Sequence, residues 1–256
     1  MTEATVAGRA VIDLPSPNWD DRPAGAAPVD TLVLHYTGMV SAEAALERLT
    51  DRSAKVSAHW CIGEDGTLWR LVPEEQRAWH AGLSKWRGRR SVNNFSIGIE
   101  LVNPGHEHGY RPFPPAQMDA LLDLLRVIVA RHPIDPRNVV AHSDIAPTRR
   151  QDPGELFDWA RLAKAGIGLW PQGVAEPVGE GQALRHGDCG SPVRRQQDRL
   201  RAVGYGLAVD GDFGAATAAV VRAFQRHFRQ ARVDGAIDAG TDAMLHEVHA
   251  LTAGRR

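Results

Sequence analysis

Thr31-Leu32-Val33-Leu34-His35-Tyr36 is an apolar run that ends on two polar rings, and it reads as a buried strand with a histidine near its C-terminal end. Asn138-Val139-Val140-Ala141-His142 has the same form further along the chain. Between and around these two segments, short apolar runs alternate with helical stretches. Ser41 is placed to cap a helix that continues to about Leu49. Residues 58–62 and 67–71 flank Gly63-Glu64-Asp65-Gly66, a hairpin signal, and residues 96–102 form a further strand. From Pro115 to Arg131 the apolar positions Met118, Leu121, Leu122, Leu125, Ile128 and Val129 recur at three and four residues, the stripe of an amphipathic helix that Pro133 stops. Pro153 is placed to open a last helix, with Leu156, Trp159 and Leu162 toward the core and an end near Gly166. The pattern predicts an α/β domain over 1–166, a mixed central sheet flanked by helices.

Residues 167–181, with Pro171, Pro177 and repeated glycines, have the turn chemistry and weak periodicity of an interdomain linker. Composition shifts beyond it, since residues 182–256 carry eleven Arg and no Lys against eight Asp plus Glu. Val209-Asp210-Gly211 recurs there as Val233-Asp234-Gly235, and Thr217 as Thr241, both at a spacing of twenty-four. Each copy is a turn leading into a helix. Ser191-Pro192 is expected to cap an earlier helix with Val193, Gln197, Leu200 and Val203 on its inner side. The expectation is a second, small three-helix domain whose turns are set by glycines.

The chain has 256 residues, 43% hydrophobic and 24% charged, which is the composition of a folded globular protein with room for one to two domains. Its 30 Lys plus Arg almost cancel its 31 Asp plus Glu, so no overall field gathers nucleic acid. No apolar run approaches the ~20 residues that span a bilayer. Cys61 and Cys189 lie far apart without C-x-x-C spacing, which points to neither a disulfide framework nor a thiolate metal site. The first ten residues hold Glu3 and Arg9 and no apolar segment of the secretory kind. The expected location is therefore the cytoplasm, with the cell envelope as the alternative for a chain trimmed of its leader.

Among eleven histidines, His106, His108, His132, His186, His227, His246 and His249 lie in loops or on helix faces without an obvious partner and are assigned no role. His35 and His142 stand at the ends of apolar strands, where open sheets place ligands. If those strands are neighbours the imidazoles converge, and Asp152, ten residues after His142, can join them. Two imidazoles and a carboxylate with one open position describe a catalytic zinc site; histidines that merely share a sequence are the plainer alternative. In Ser96-Ile97-Gly98-Ile99-Glu100-Leu101 the alternation puts the three large apolar residues on one face and Gly98 with Glu100 on the other. A carboxylate there is costly unless something uses it, and burial would raise its pKa toward that of a general base. An edge strand with Glu100 in solvent is the alternative. Arg149 and Arg150 closely precede Asp152, so one guanidinium can reach the same pocket and stabilise an oxyanion. His59 and His80 can contact substrate or satisfy backbone groups in turns. A rival metal reading takes His142-Ser143-Asp144 as the H-x-D of a non-haem iron site.

Five segments resemble, in order, the zinc-dependent N-acetylmuramoyl-L-alanine amidases of type 2, which are related to peptidoglycan-recognition proteins. They are Leu34-His35-Tyr36-Thr37-Gly38, Val56-Ser57-Ala58-His59-Trp60, Arg77-Ala78-Trp79-His80-Ala81-Gly82, Ser96-Ile97-Gly98-Ile99-Glu100-Leu101 and Ala141-His142-Ser143-Asp144-Ile145-Ala146-Pro147. The resemblance implies one zinc ion on His35, His142 and Asp152, with Glu100 as general acid and base. It also implies an oxyanion role for Arg150, which stands where the family usually has Lys and differs from it in reach and hydrogen-bond geometry. Tyr36, His59 and His80 are expected substrate contacts. After the linker, Leu184-Arg185-His186-Gly187-Asp188, Val193-Arg194-Arg195-Gln196-Gln197, Val209-Asp210-Gly211-Asp212-Phe213-Gly214 and Ala223-Phe224-Gln225 resemble a three-helix peptidoglycan-binding domain. The implied activity is hydrolysis of the amide between the lactyl group of N-acetylmuramic acid and L-alanine, in peptidoglycan or in anhydro-muropeptides. A recognition protein that binds muropeptide without cutting it is the alternative.

Overall fold

The 31–36 run lies next to the edge of a seven-stranded sheet in the computed structural model, which describes residues 5–25, 27–174 and 183–254. In chain order the strands are β1 (Thr5–Val6), β2 (Arg9–Asp13), β3 (Trp19–Asp20), β4 (Thr31–Tyr36), β5 (Trp60–Ile62), β6 (Leu68–Arg70), β7 (Arg77–Ala78), β8 (Lys85–Trp86), β9 (Arg89–Arg90), β10 (Ser96–Leu101) and β11 (Val139–Ala141). The helices are α1 (Ala42–Thr50), α2 (Pro115–Arg131), α3 (His142–Ile145), α4 (Trp159–Lys164), α5 (Ser191–Val203), α6 (Ala215–Phe228) and α7 (Ala239–Ala253). The main sheet runs β1-β2-β6-β5-β10-β4-β11, while β3 pairs with β7 and β8 with β9 in two small ribbons. β10, β4 and β11 are mutually parallel, β5 joins β10 in parallel, and the β5–β6 hairpin is antiparallel, so the sheet is mixed as expected.

Period-two alternation sorts the sheet's faces. Leu32, Leu34, Ile97, Ile99 and Leu101 turn to one side and meet Met118, Leu121, Leu125 and Ile128 of α2. Val33 and Val140 turn to the other side and join Trp86, Val92 and Phe95. Ser41 caps α1 by accepting from the Ala44 N–H, and α2 ends where the His132 N–H reaches Ile128 O just before Pro133.

The last helix of this part departs from the expectation. It is α4, starting at Trp159, and Pro153 is not its first residue. Asp158 caps it by accepting from the Arg161 N–H, while Tyr110 holds the preceding turn by donating to Pro153 O and accepting from the Leu156 N–H. A side-chain cap outweighs proline's fit to a first helical turn. Leu156 is consequently exposed, whereas Trp159 and Leu162 are buried as read.

Helices α5, α6 and α7 form the expected bundle, and the quasi-repeat has a physical basis. The buried Gln197 amide donates to Asp210, Asp212 and Thr217 while its oxygen accepts from the Gly211 N–H. Gln225 repeats the device, donating to Asp234, Ala236 and Thr241 and accepting from the Gly235 N–H. Gly211 and Gly235 both have positive φ, which each turn requires.

Residues 175–181 of the expected linker lie outside the described residues, but its first part is packed. Ile167 and Leu169 are buried, and Trp170 stacks near Phe228. The three helices are also not a free-standing body. One apolar cluster takes in Val33, Trp86, Val140 and Ile145 together with Leu200, Tyr205, Val221 and Phe224. The bundle thereby covers the face of the sheet opposite α2.

Candidate active site

The strand register assembles the site. Leu34 of β4 is level with Ala141 of β11, so His35 and His142 leave the sheet side by side, and on the other flank Glu100 of β10 is level with His35. The chain then turns through α3 and comes back, and a backbone bond from the Ser143 N–H to Asp152 O brings Asp152 beside His142. Nδ1 of His35, Nδ1 of His142 and Oδ2 of Asp152 form a triangle with edges of 3.0, 3.0 and 3.1 Å. All three residues are buried, and they are a set able to hold a metal ion among the described residues.

The surroundings prepare these atoms as ligands. Nε2 of His35 faces Nδ1 of His80 at 3.0 Å, and Nε2 of His80 faces Ser96 Oγ at 3.1 Å, whose hydroxyl donates to Val92 O at 2.7 Å. Donation in one direction along this chain puts the His35 proton on Nε2 and leaves the Nδ1 lone pair toward the triangle. His142 matches it, because Nε2 faces Ala81 O at 3.3 Å and can only donate there. Burial, with the neighbouring His142 second, holds the His35 pKa down to about 4, so its ring is neutral as a ligand must be. The Asp152 carboxyl is held well below its usual range: both histidines outweigh a burial effect that by itself would raise it. Three donors at 3.0–3.1 Å from one another are slightly closer than the edge of roughly 3.3 Å in a tetrahedron with ~2.0–2.1 Å bonds. The residues present fit a zinc ion.

These groups open onto a cavity of about 340 Å³ lined by Tyr36, Trp79, His80, Glu100, Arg150 and Asp152, among others. Glu100 sits on an inner strand, not an edge, and its Oε2 is buried with no hydrogen-bond partner among the described residues. Burial first, and the Asp152 charge second, push its pKa well above the carboxylate range, while Arg150 pulls it back. The two arginines divide their tasks. Arg149 donates to the carbonyls of Ala81 and Leu83 and so ties down a loop. Arg150 lines the cavity and makes no such bond among the described residues.

Of the expected substrate contacts, Tyr36 and His80 line the cavity and His59 does not. His59 is fully buried, accepts from the Gly98 N–H at 2.9 Å and faces Gln76 O at 3.1 Å. Its turn-satisfying role prevails because both ring nitrogens are spent on backbone. His80 is spent likewise on His35 and Ser96, and it fits only because residue 98 is glycine; a Cβ there would lie 2.4 Å from its ring. Asp144 turns away from the triangle to Tyr205 and His227, which removes the H-x-D reading. His106, given no role from sequence, lines the cavity: its Nδ1 meets the Tyr36 hydroxyl at 2.9 Å and its ring stacks on Tyr110. Only the loop's return over β4 reveals it, and Pro104-Gly105-His106 carries no periodic signal of that.

Residues 25–155 match the family model described as N-acetylmuramoyl-L-alanine amidase. The chain belongs to this amidase family. Residues 189–245 match a peptidoglycan binding domain model. The chain is 40% identical over 228 residues to N-acetylmuramoyl-L-alanine amidase AmiD of Escherichia coli, covering 84% of this chain and 80% of that one. It is 36% identical over 166 residues to the 1,6-anhydro-N-acetylmuramyl-L-alanine amidase AmpD of the same species, covering 58% of this chain and 88% of the other. Among solved structures, E. coli AmiD bound to anhydro-N-acetylmuramic acid-L-Ala-D-gamma-Glu-L-Lys superposes with a TM-score of 0.75 at 37% identity, over 90% of this chain and 93% of that one. AmpDh3 of Pseudomonas aeruginosa gives a TM-score of 0.72 at 32% identity, over 93% and 98%. The likeness to these two solved structures thus extends over both parts of the chain, the three-helix bundle included.

Proposed function

We propose that this amidase cleaves the bond between the lactyl carbonyl of N-acetylmuramic acid and the nitrogen of L-alanine in soluble anhydro-muropeptides, with one zinc ion on His35, His142 and Asp152. The observation that carries the reading is the donor triangle with Glu100's unpartnered Oε2 in the same cavity. A zinc ion held there supplies Lewis acidity and a water acidic enough to lose its proton near neutral pH. Glu100 takes that proton from the attacking water and returns it to the alanine nitrogen as the C–N bond breaks, the task for which a raised pKa suits it. Arg150 donates to the carbonyl oxygen as that atom gains charge. Trp79, whose buried Nε1 has no partner among the described residues, lines the same cavity and offers substrate a further donor. The muropeptide held by AmiD, together with the cavity's size, supports this substrate class.

The test is peptide release followed by mass spectrometry, with anhydro-muropeptide and intact sacculi as parallel substrates. Stem peptide with a free L-alanine amine is expected from the soluble substrate, abolished by chelator and restored by zinc. Binding without release would establish the recognition-protein alternative instead, and release undiminished by complete metal removal would remove the zinc assignment.

A further inference from the structure

Two of the three metal-site residues, His142 and Asp152, lie on one segment, 142–157, that runs over the sheet's end, and the bundle grips this segment along its length. Asp144, fully buried two residues after His142, accepts from the Tyr205 hydroxyl at 2.7 Å and the His227 Nδ1–H at 2.7 Å, as well as from the Ala141 N–H at 2.8 Å. Next to Asp152, Gln151 accepts from Arg226, and Glu155 pairs with the same guanidinium at 3.6 Å. At the far end Phe157 O accepts from Gln230. Three of these partners, Arg226, His227 and Gln230, come from α6 and the turn after it, and the His227 ring stacks on Trp159 at 3.7 Å. None of the bundle's described residues lines the catalytic cavity.

We infer that the three-helix domain is a structural part of the metal site, with Tyr205 and His227 acting through Asp144 as positioning residues that hold the His142–Asp152 segment in its ligating shape. A buried carboxylate bonded to two side chains and a backbone N–H fixes the turn from which His142 projects. A domain tethered only to seek the cell wall would need no such buried polar bonds. The inference rests on the zinc reading for its consequence, though the clamp itself is a property of the protein alone.

Tyr205→Phe removes one hydroxyl and keeps the ring, and Asp144→Asn keeps shape but cannot accept from all three donors as before. The comparison is Arg137→Ala, which removes an interdomain bond to Thr252 O, and two bonds to Asp135, without taking a partner from 142–157. Three measurements on the full chain decide: zinc release to a chelator, the kcat and KM split on anhydro-muropeptide, and amide hydrogen exchange of 142–157 in metal-free protein. Both clamp variants are expected to release zinc at least about threefold faster, short of the roughly 10–100-fold that loss of a ligand's own hydrogen-bond partner causes. They should lower kcat with KM held, and exchange faster across 142–157, while Arg137→Ala lowers Tm with all three readouts at wild-type values. Clamp variants that lose Tm as Arg137→Ala does, with zinc release and exchange unchanged, would overturn the inference. A wild-type protein that takes up no zinc would defeat the metal assignment instead, and the exchange data would still decide the clamp.

Discussion

Glu100 and the buried histidines give the residue scale its sharpest expectations. Glu100→Gln should keep stoichiometric zinc and lose at least about 10²-fold in turnover, since general acid–base help of this kind is worth 10²–10⁴; metal analysis beside peptide release checks both halves. Arg150→Ala should cost about 10²-fold or more in kcat and move the acid limb of the pH profile upward, because Arg150 is the group that draws the Glu100 pKa down. Burial lowers the pKa of His35 to about 4 and of His59 to about 3, and that of His80 well below normal. An unfolded chain protonates these rings near pH 6.5 and the folded chain does not, so they withdraw stability as pH falls from about 6.5 toward 4. Glu100, with its raised pKa, takes up a proton earlier when folded and works in the opposite sense. Each net proton taken up by the unfolded chain is worth about 1.4 kcal/mol per pH unit, and three rings outnumber one carboxyl, so metal-free protein should be less stable at pH 5 than at pH 7 in urea titrations. His35, His142 and Glu100 could be picked out from sequence because strand ends and period-two alternation are local. His106 and His227 could not, since what gives them partners is the return of distant segments.

At the scale of elements, close approaches make testable points of failure. Gly98→Ala would drive a methyl into the His80 ring and through it disturb His35; a loss of about 1–3 kcal/mol is expected from such overpacking, together with weaker zinc retention, measured by thermal melts and chelator competition. Gln225→Ala leaves the buried Gly235 N–H without its acceptor and should cost about 1–3 kcal/mol, visible as a lower Tm. The helix at 115–131 was readable from its stripe, and the Asp-Gly turns from their recurrence. The start of α4 was not, because Pro153 and Asp158 both suit a helix N-terminus and the choice between them was made by Tyr110, a residue more than forty positions away.

Across the whole molecule, the linker and the independence of the bundle were the least legible features. Composition marks a boundary near 166–181, yet nothing local says that Trp86 will stack edge-on against Tyr205 or that Val33 and Leu200 will share one core. A chain ended at residue 174 would expose the apolar face around Trp86, Val140 and Ile145, and such a patch favours association; gel filtration of the shortened chain should show aggregates or dye binding absent from the full protein. The cavity wall is drawn from the strand ends and from loops such as 37–39 and 104–107, while the helices that brace the segment carrying His142 and Asp152 stand behind it. Rim and foundation meet where His106 of the 104–107 loop bonds Glu155, so an engineer retargeting the enzyme toward other peptide stems would redraw loop 37–39 and leave that junction untouched.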